Sequence, residues 1–353
     1  MKNYLSPTIM NIDPYVPGEQ PKDGVYIKLN TNENPYPPSP KVIEAIKKAA
    51  SSLRLYPDPD SEVLKSAVAN FYSIDKEMVY AGNSSDEILA MSFMAFFMKE
   101  KPILFPDITY SFYEVYAKLF GIGFKLIPLN DDYTVPVENF FIPNDGIVIA
   151  NPNAPTGIAL STDSIKKILE ANKKSVVLVD EAYIDFGGQS MVKYINEYPN
   201  LIITQTLSKS RSLAGLRVGV AIGGGHLIEG INRVKNSFNS YPLDRLAAAG
   251  AAEAFKDVEY FNNTTQKIIN TRERVKKEFI HMGFSVTDSK SNFLFINHPE
   301  VSAKKMFDEL RKKKILVRFF DKERIDNHLR ITIGTDNEMD TLLDTIKNIL
   351  NVI

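Results

Sequence analysis

The sequence contains no cysteine. That absence excludes disulfides, thiolate nucleophiles, iron–sulfur clusters and every cysteine-containing zinc site, and it suits a reducing, cytoplasmic setting. Histidine is scarce. The four residues, His226, His281, His298 and His328, are scattered, with no HExxH and no spacing that sets two on one helix face, so no metal site is expected. Excess charge of one sign is missing too, since 42 Lys+Arg face 43 Asp+Glu for a net charge of −1. Nothing draws the chain globally to nucleic acid or to an anionic membrane, and any anion must be captured locally. The most apolar stretch, Ile88 to Met98, falls short of the ~20 residues a spanning helix needs and runs into Lys99-Glu100-Lys101. It reads as a buried helix. The opening residues MKNYLSPTIMNIDPYVPGEQP have no cationic end followed by an apolar segment, so no secretory signal is expected.

What is present is an ordinary globular composition: 353 residues, 44% hydrophobic and 24% charged, enough for one large domain and a smaller one. Proline and asparagine crowd the first sixty residues (NTNENPYPPSP, LYPDPD), as in an extended arm, with one amphipathic helix at about Lys41 to Ser52. From Met78, short β-rich runs alternate with helix-length segments: MVYAG, PILFP, FKLIPL, GIVIAN, SVVLVDEA, LIITQT and RVGVAIGG. Several are apolar throughout, which fits strands covered by helices on both faces, in an α/β doubly wound layout. After Tyr241 the chain turns helical, with a long charged stretch from Asp257 to Met282 that can connect two domains. The remainder (FSVTDS, NFLFINH, a helix from Val301 to Lys313, ILVRF, LRITIG, a terminal helix from about Asp336) reads as a compact α+β unit. The expected division is an N-terminal arm at 1–30 that contributes to the small domain, a large domain at 31–266 and a small domain at 267–353.

Four strand ends carry candidate chemistry. Gly82-Asn83-Ser84-Ser85-Asp86-Glu87 joins MVYAG to a helix, whose free first-turn N–H groups can hold a phosphate. An ordinary N-cap with acidic residues suited to the helix dipole explains the same residues. Asn151-Pro152-Asn153-Ala154-Pro155-Thr156-Gly157 follows GIVIAN as a rigid turn bearing amides, or simply as a proline-stiffened loop. Asp180 ends the strand SVVLVDEA at the sheet edge where ligands gather in open α/β folds, although an acid there is often only a cap. After LIITQT, Ser208, Lys209 and Arg217 put a hydroxyl, an amine and a guanidinium around one turn. These groups suit a phosphorylated aldehyde, with the amine forming a Schiff base and the others holding the phosphate. No GxGxxG follows the first strand, which argues against a nicotinamide-binding Rossmann enzyme.

Taken in order, NENPYPPSP, LYPDPD, GNSSDE, NPNAPTG, DEAYIDF, TLSKSRSLAGLRVG, SNFLF and LRITIGT resemble the class I/II aminotransferases of fold type I, which depend on pyridoxal 5'-phosphate. The likeness is strongest to the branch acting on histidinol phosphate, and it covers nearly the whole chain. It implies a large domain with a mostly parallel mixed sheet between helices, a smaller α+β domain, and a homodimer with sites at the subunit interface. The implied reaction is ping-pong transamination between an amino donor, L-histidinol phosphate, and 2-oxoglutarate. By the same resemblance, Lys209 forms the Schiff base, Asp180 pairs with the pyridine nitrogen, Tyr183 bonds the ring oxygen and Tyr110 stacks on the ring. Ser84, Ser85, Ser208 and Arg217 hold the phosphate, joined by Tyr56 from the partner subunit. Arg330 receives the substrate's anionic end. Beside it, Arg318 is a second arginine on the small domain or a solvated strand-end charge, Tyr15 is a hydrogen-bonding lid or arm packing, and Asn32 is a further substrate candidate. Two positions depart from the family pattern. The amide-turn motif has Ala154 where the family has asparagine, which leaves Asn153 as the nearest amide. Ser84 stands where the phosphate loop often has glycine. Aromatic amino-acid aminotransferases and threonine-phosphate decarboxylases share most of these motifs, and a regulator domain that senses the cofactor is the non-catalytic alternative.

Overall fold

The computed structural model describes residues 4–10 and 12–351. The arm, which begins with a short helix at Pro7–Met10, is extended as far as strand β1 (Ile27–Lys28). Helix Pro40–Ala49 follows, started by the Ser39 side chain accepting from the Val42 amide and by proline at its first position. Seven strands then build the large sheet: β2 (Val79–Asn83), β3 (Ile103–Pro106), β4 (Phe124–Ile127), β5 (Gly146–Ala150), β6 (Val176–Asp180), β7 (Leu201–Thr206) and β8 (Val218–Gly223). Their order is β2-β8-β7-β6-β5-β3-β4, parallel from β7 to β4, with β8 antiparallel to both neighbours. Strands β5, β7 and β8 are buried along their whole length, because helices cover both faces and no side chain can be spared for water. The segment read as a buried helix is Ser84–Ser92 continued by a π-helical turn at Phe93–Phe97. The Phe97 ring lies where a Cβ on Gly146 would be, at 2.3 Å, so only glycine lets β5 pass beneath it.

Beyond β8, helices Gly225–Phe238 and Arg245–Lys256 complete the large body. The charged stretch is one helix, Val258–His281, 24 residues and about 36 Å long. It crosses the expected boundary at residue 266 without a break. Its Phe261 packs against Arg211 of the large body, while Ile268, Val275 and Phe279 enter a second apolar cluster. That cluster belongs to the smaller unit, whose sheet has the order β12-β13-β10-β9, with β9 at Ser285–Val286, β10 at Phe293–Asn297, β12 at Arg318–Phe319 and β13 at Leu329–Thr332. Strand β11 (Ile315–Leu316) pairs in parallel with β1, and Leu29, 1% exposed, packs into the small cluster. On the opposite side a clasp joins the two bodies: Arg324 donates to Asp107 Oδ2 and to the Leu129 carbonyl, both at 2.8 Å. No helix among the described residues is long and apolar enough to cross a membrane.

Candidate active site

At the C-terminal edge of the parallel strands, a cavity of about 600 Å³ opens between the two bodies and the arm. Asp180 ends β6 at 5% exposure and lines this cavity. Its carboxylate accepts from the Tyr113 hydroxyl at 2.7 Å and from the Ala182 amide at 3.2 Å. Burial nevertheless pushes its pKa up to about 6, since these hydrogen bonds only partly replace lost hydration. A buried carboxylate in this state favours a cationic partner such as a protonated ring nitrogen. One strand over, after β7, Lys209 Nζ donates to the Thr31 carbonyl at 3.1 Å. Burial, and then repulsion from Arg330, lower the lysine to about 8, so a share of the amine is neutral near physiological pH. The Tyr183 ring lies 5.9 Å from Nζ, and its hydroxyl accepts from Asn32 Nδ2 at 2.9 Å, which leaves the phenolic proton available to a ligand.

A second corner suits a phosphate. Helix Ser84–Ser92 begins beside it, and Ser84 has φ +70°, the left-handed region where glycine is the usual occupant. Glycine's role is partly taken by Gly219 on β8, where a Cβ would sit 2.5 Å from the Ser85 nitrogen. Ser208 is buried and accepts from the Thr206 hydroxyl at 3.0 Å. Arg217 pairs with Asp86 at 2.8 Å, and Asp86 also accepts from the Tyr110 hydroxyl at 3.1 Å. Hydroxyls, a guanidinium and a helix start thus surround one corner.

Across from Lys209, Arg318 and Arg330 stand opposite each other on β12 and β13. Among the described residues neither makes an ion pair, and Arg330 Nε has no hydrogen-bond partner. Its Nη2 donates to the Asn30 carbonyl at 3.1 Å, and the guanidinium sits between the rings of Phe293 and Phe320. Two unneutralised cations side by side form a receptor for an anion. Tyr15 roofs the cavity, stacked on Phe112 at 4.4 Å and edge-on to Tyr110 at 6.1 Å. The arrangement combines a poised amine, an acid for a ring nitrogen, a phosphate corner and an anion receptor.

The family model for aminotransferase class I and II matches residues 25–346. The chain belongs to that family. This aminotransferase is 57% identical over 352 residues to the histidinol-phosphate aminotransferase of Clostridium beijerinckii, covering 99% of the chain and 98% of that protein. It is 58% identical over 348 residues to the one from Clostridium acetobutylicum, covering 98% and 99%. Among solved structures, histidinol-phosphate aminotransferase from Sinorhizobium meliloti in complex with pyridoxal 5'-phosphate has a TM-score of 0.88 at 23% identity, covering 98% of each chain. That likeness confirms the fold.

Not every expected residue reaches the cavity of this aminotransferase. Asn153 does not: its Oδ1 accepts from Thr109, and its Nδ2 donates to the Ile108 carbonyl and to Thr156, so the amide is fully engaged behind the loop. Ala154 lines the cavity instead, and the missing amide is not replaced by its neighbour. Asn32 lines the cavity, where its Nδ2 donates to Tyr183 and its Oδ1 accepts from Thr332 at 3.1 Å. It supports Tyr183 and keeps one Nδ2 hydrogen for a ligand. Tyr56 is 78% exposed and does not line the chain's own cavity. Three contributors were not foreseen: the Thr31 carbonyl, Asp86, and Tyr113. Tyr113 had a signal, three residues after Tyr110 at the start of helix Phe112–Leu119. Because its hydroxyl lowers the pKa of Asp180, Tyr113→Phe should move the acid limb of the kcat/KM profile to higher pH. A pH–rate profile that matches wild type would refute the link.

Proposed function

We propose that the chain transfers an amino group between L-histidinol phosphate and 2-oxoglutarate, with pyridoxal 5'-phosphate as cofactor, in histidine biosynthesis. The observation that carries this reading is the pair of unneutralised guanidiniums, Arg318 and Arg330, across one cavity from the amine of Lys209. The names of the relatives support the choice of substrate. When bound, the cofactor supplies an aldehyde that exchanges amines and a cationic ring that accepts the electrons of the substrate's Cα–H bond. Asp180 would hold the ring nitrogen, Tyr183 the ring oxygen, and Ser85, Ser208 and Arg217 the phosphate. Lys209 Nζ, weakened as a cation, takes the proton from Cα and returns it as the amino group moves. Tyr15 and the arm exclude water above it.

Histidinol phosphate has no carboxylate and 2-oxoglutarate has two, so one receptor must accept a phosphate ester and a carboxylate in turn. A planar arginine fork suits both. Arg330→Ala should weaken both half-reactions about ten- to a hundredfold in kcat/KM, and Arg318→Ala should hurt the histidinol phosphate half more, because a dianion needs more positive charge. Wild-type kcat/KM for histidinol phosphate against phenylalanine and tyrosine decides the substrate. A preference for the aromatic amino acids, or carbon dioxide release from threonine phosphate, would overturn it.

The working unit in this reading is a homodimer. Tyr56, Phe238, Leu53, Leu55 and Tyr241 are all exposed, an apolar surface of the kind a second copy covers. Mixing inactive Lys209→Ala subunits with inactive Tyr56→Ala subunits should restore one intact site per heterodimer. No recovery in verified heterodimers would place both residues in one chain.

A further inference from the structure

Tyr56 lies in an irregular stretch between the 3-10 turn Ala50–Ser52 and helix Glu62–Tyr72. An exposed tyrosine on such a loop would sample many conformations unless its backbone were tied down. Here it is tied twice. Arg245, the first residue of helix Arg245–Lys256, donates from Nε to the Leu55 carbonyl at 3.0 Å and from Nη2 to the Tyr56 carbonyl at 2.5 Å. Further along, the buried Lys235 donates to the Pro59 carbonyl at 2.9 Å and pairs with Asp60 at 3.1 Å. The Tyr56 ring is stacked on Tyr241, with centroids 5.0 Å apart. The helix that carries Arg245 is itself fixed at its start, since the Asp244 side chain accepts from the amides of Leu246 and Ala247.

None of these groups lines the chain's own cavity. Freezing a long arginine side chain costs rotamer entropy, yet Nε and Nη2 are both spent on the carbonyls at an exposed aromatic. We propose that Arg245 is a positioning residue that holds the Leu55–Tyr56 backbone so that the Tyr56 hydroxyl is presented to the phosphate corner of the neighbouring subunit's site. This rests on the reading of Tyr56 as an interface residue. The planar fork matters, because it meets two successive carbonyls at once, whereas a lysine ammonium in the same place meets one.

The test measures the affinity of the full-length protein for pyridoxal 5'-phosphate and for pyridoxal, which lacks the phosphate, by visible absorbance. The ratio of the two isolates what the phosphate contributes. Tyr56→Phe should lower that ratio about ten- to a hundredfold, the loss of one hydrogen bond to a charged group. Arg245→Met should lower it by a similar factor with pyridoxal affinity unchanged, Arg245→Lys should fall between, and the double variant should lose no more than Tyr56→Phe alone. If Tyr56→Phe lowers the ratio and Arg245→Met does not, or if the two losses multiply, the role of Arg245 is overturned while that of Tyr56 stands. Equal weakening of both ligands would mark a merely structural arginine and also overturn it. An unchanged ratio in Tyr56→Phe would overturn the interface reading, and the proposal with it.

Discussion

Lys209→Ala should lower kcat by at least about 10⁴-fold and abolish the borohydride-reducible link between protein and cofactor. In the proposed reaction two roles fall on this one amine, carrying the cofactor and moving the Cα proton, and no other group lining the cavity stands in. The cavity's other lysine, Lys322, is engaged with the Asp107 carbonyl at 2.7 Å. Lys209 owes its readiness to burial and to the nearby Arg330, which together bring it down to about 8. A free amine such as methylamine should restore part of the proton transfer but none of the covalent attachment. Near-normal turnover of the alanine variant, with reducible cofactor still attached, would defeat the assignment.

Asp180→Ala should keep the cofactor, through the phosphate corner and Lys209, but slow removal of the Cα proton about 10²- to 10³-fold. The reason is electrostatic. Only a carboxylate at this depth keeps a ring nitrogen protonated, and a neutral ring is a poor acceptor of electrons. Single-turnover rates with substrate deuterated at Cα are the measurement: the isotope effect should grow as proton removal becomes the slow step. Unchanged rates would mean that another group protonates the ring. Tyr113 gives an internal comparison, because it acts only through Asp180 and its removal should cost far less than removal of the acid.

Much of this was legible because burial leaves a plain signature. The run GIVIA is uniformly apolar and LIITQT carries no charge, and both became central strands covered on both faces. Asp180 stood out as an acid at the end of the equally apolar run VVLV. Lys209 stood out for the same reason, as a cation directly after a run that excludes charge. Contacts made by the backbone left no such trace: the Thr31 carbonyl holds Lys209, and any residue at that position could supply it. Side-chain direction in irregular loops was equally hidden. Asn153 and Ala154 are neighbours in one turn, and only the fold decides that the methyl meets the cavity while the amide turns away. Asp86 was visible but read as a helix-dipole acid, because its partners Tyr110 and Arg217 lie 24 and 131 residues away.

The parallel pairing of β1 with β11 bears on how the molecule comes into being. Asn32, which orients Tyr183, is itself held by residues near the other end of the chain: its amide donates to the Thr332 hydroxyl at 2.9 Å and its carbonyl accepts from Asn292 at 3.0 Å. During synthesis the N-terminal segment emerges first and must wait for these partners, through contacts of the highest sequence separation. A nascent chain that has already folded its large sheet therefore possesses Asp180 and Lys209 but lacks the support beneath Tyr183 and the anion receptor of β12 and β13. The site is complete only once residues 292–332 have emerged and met the segment around Asn32.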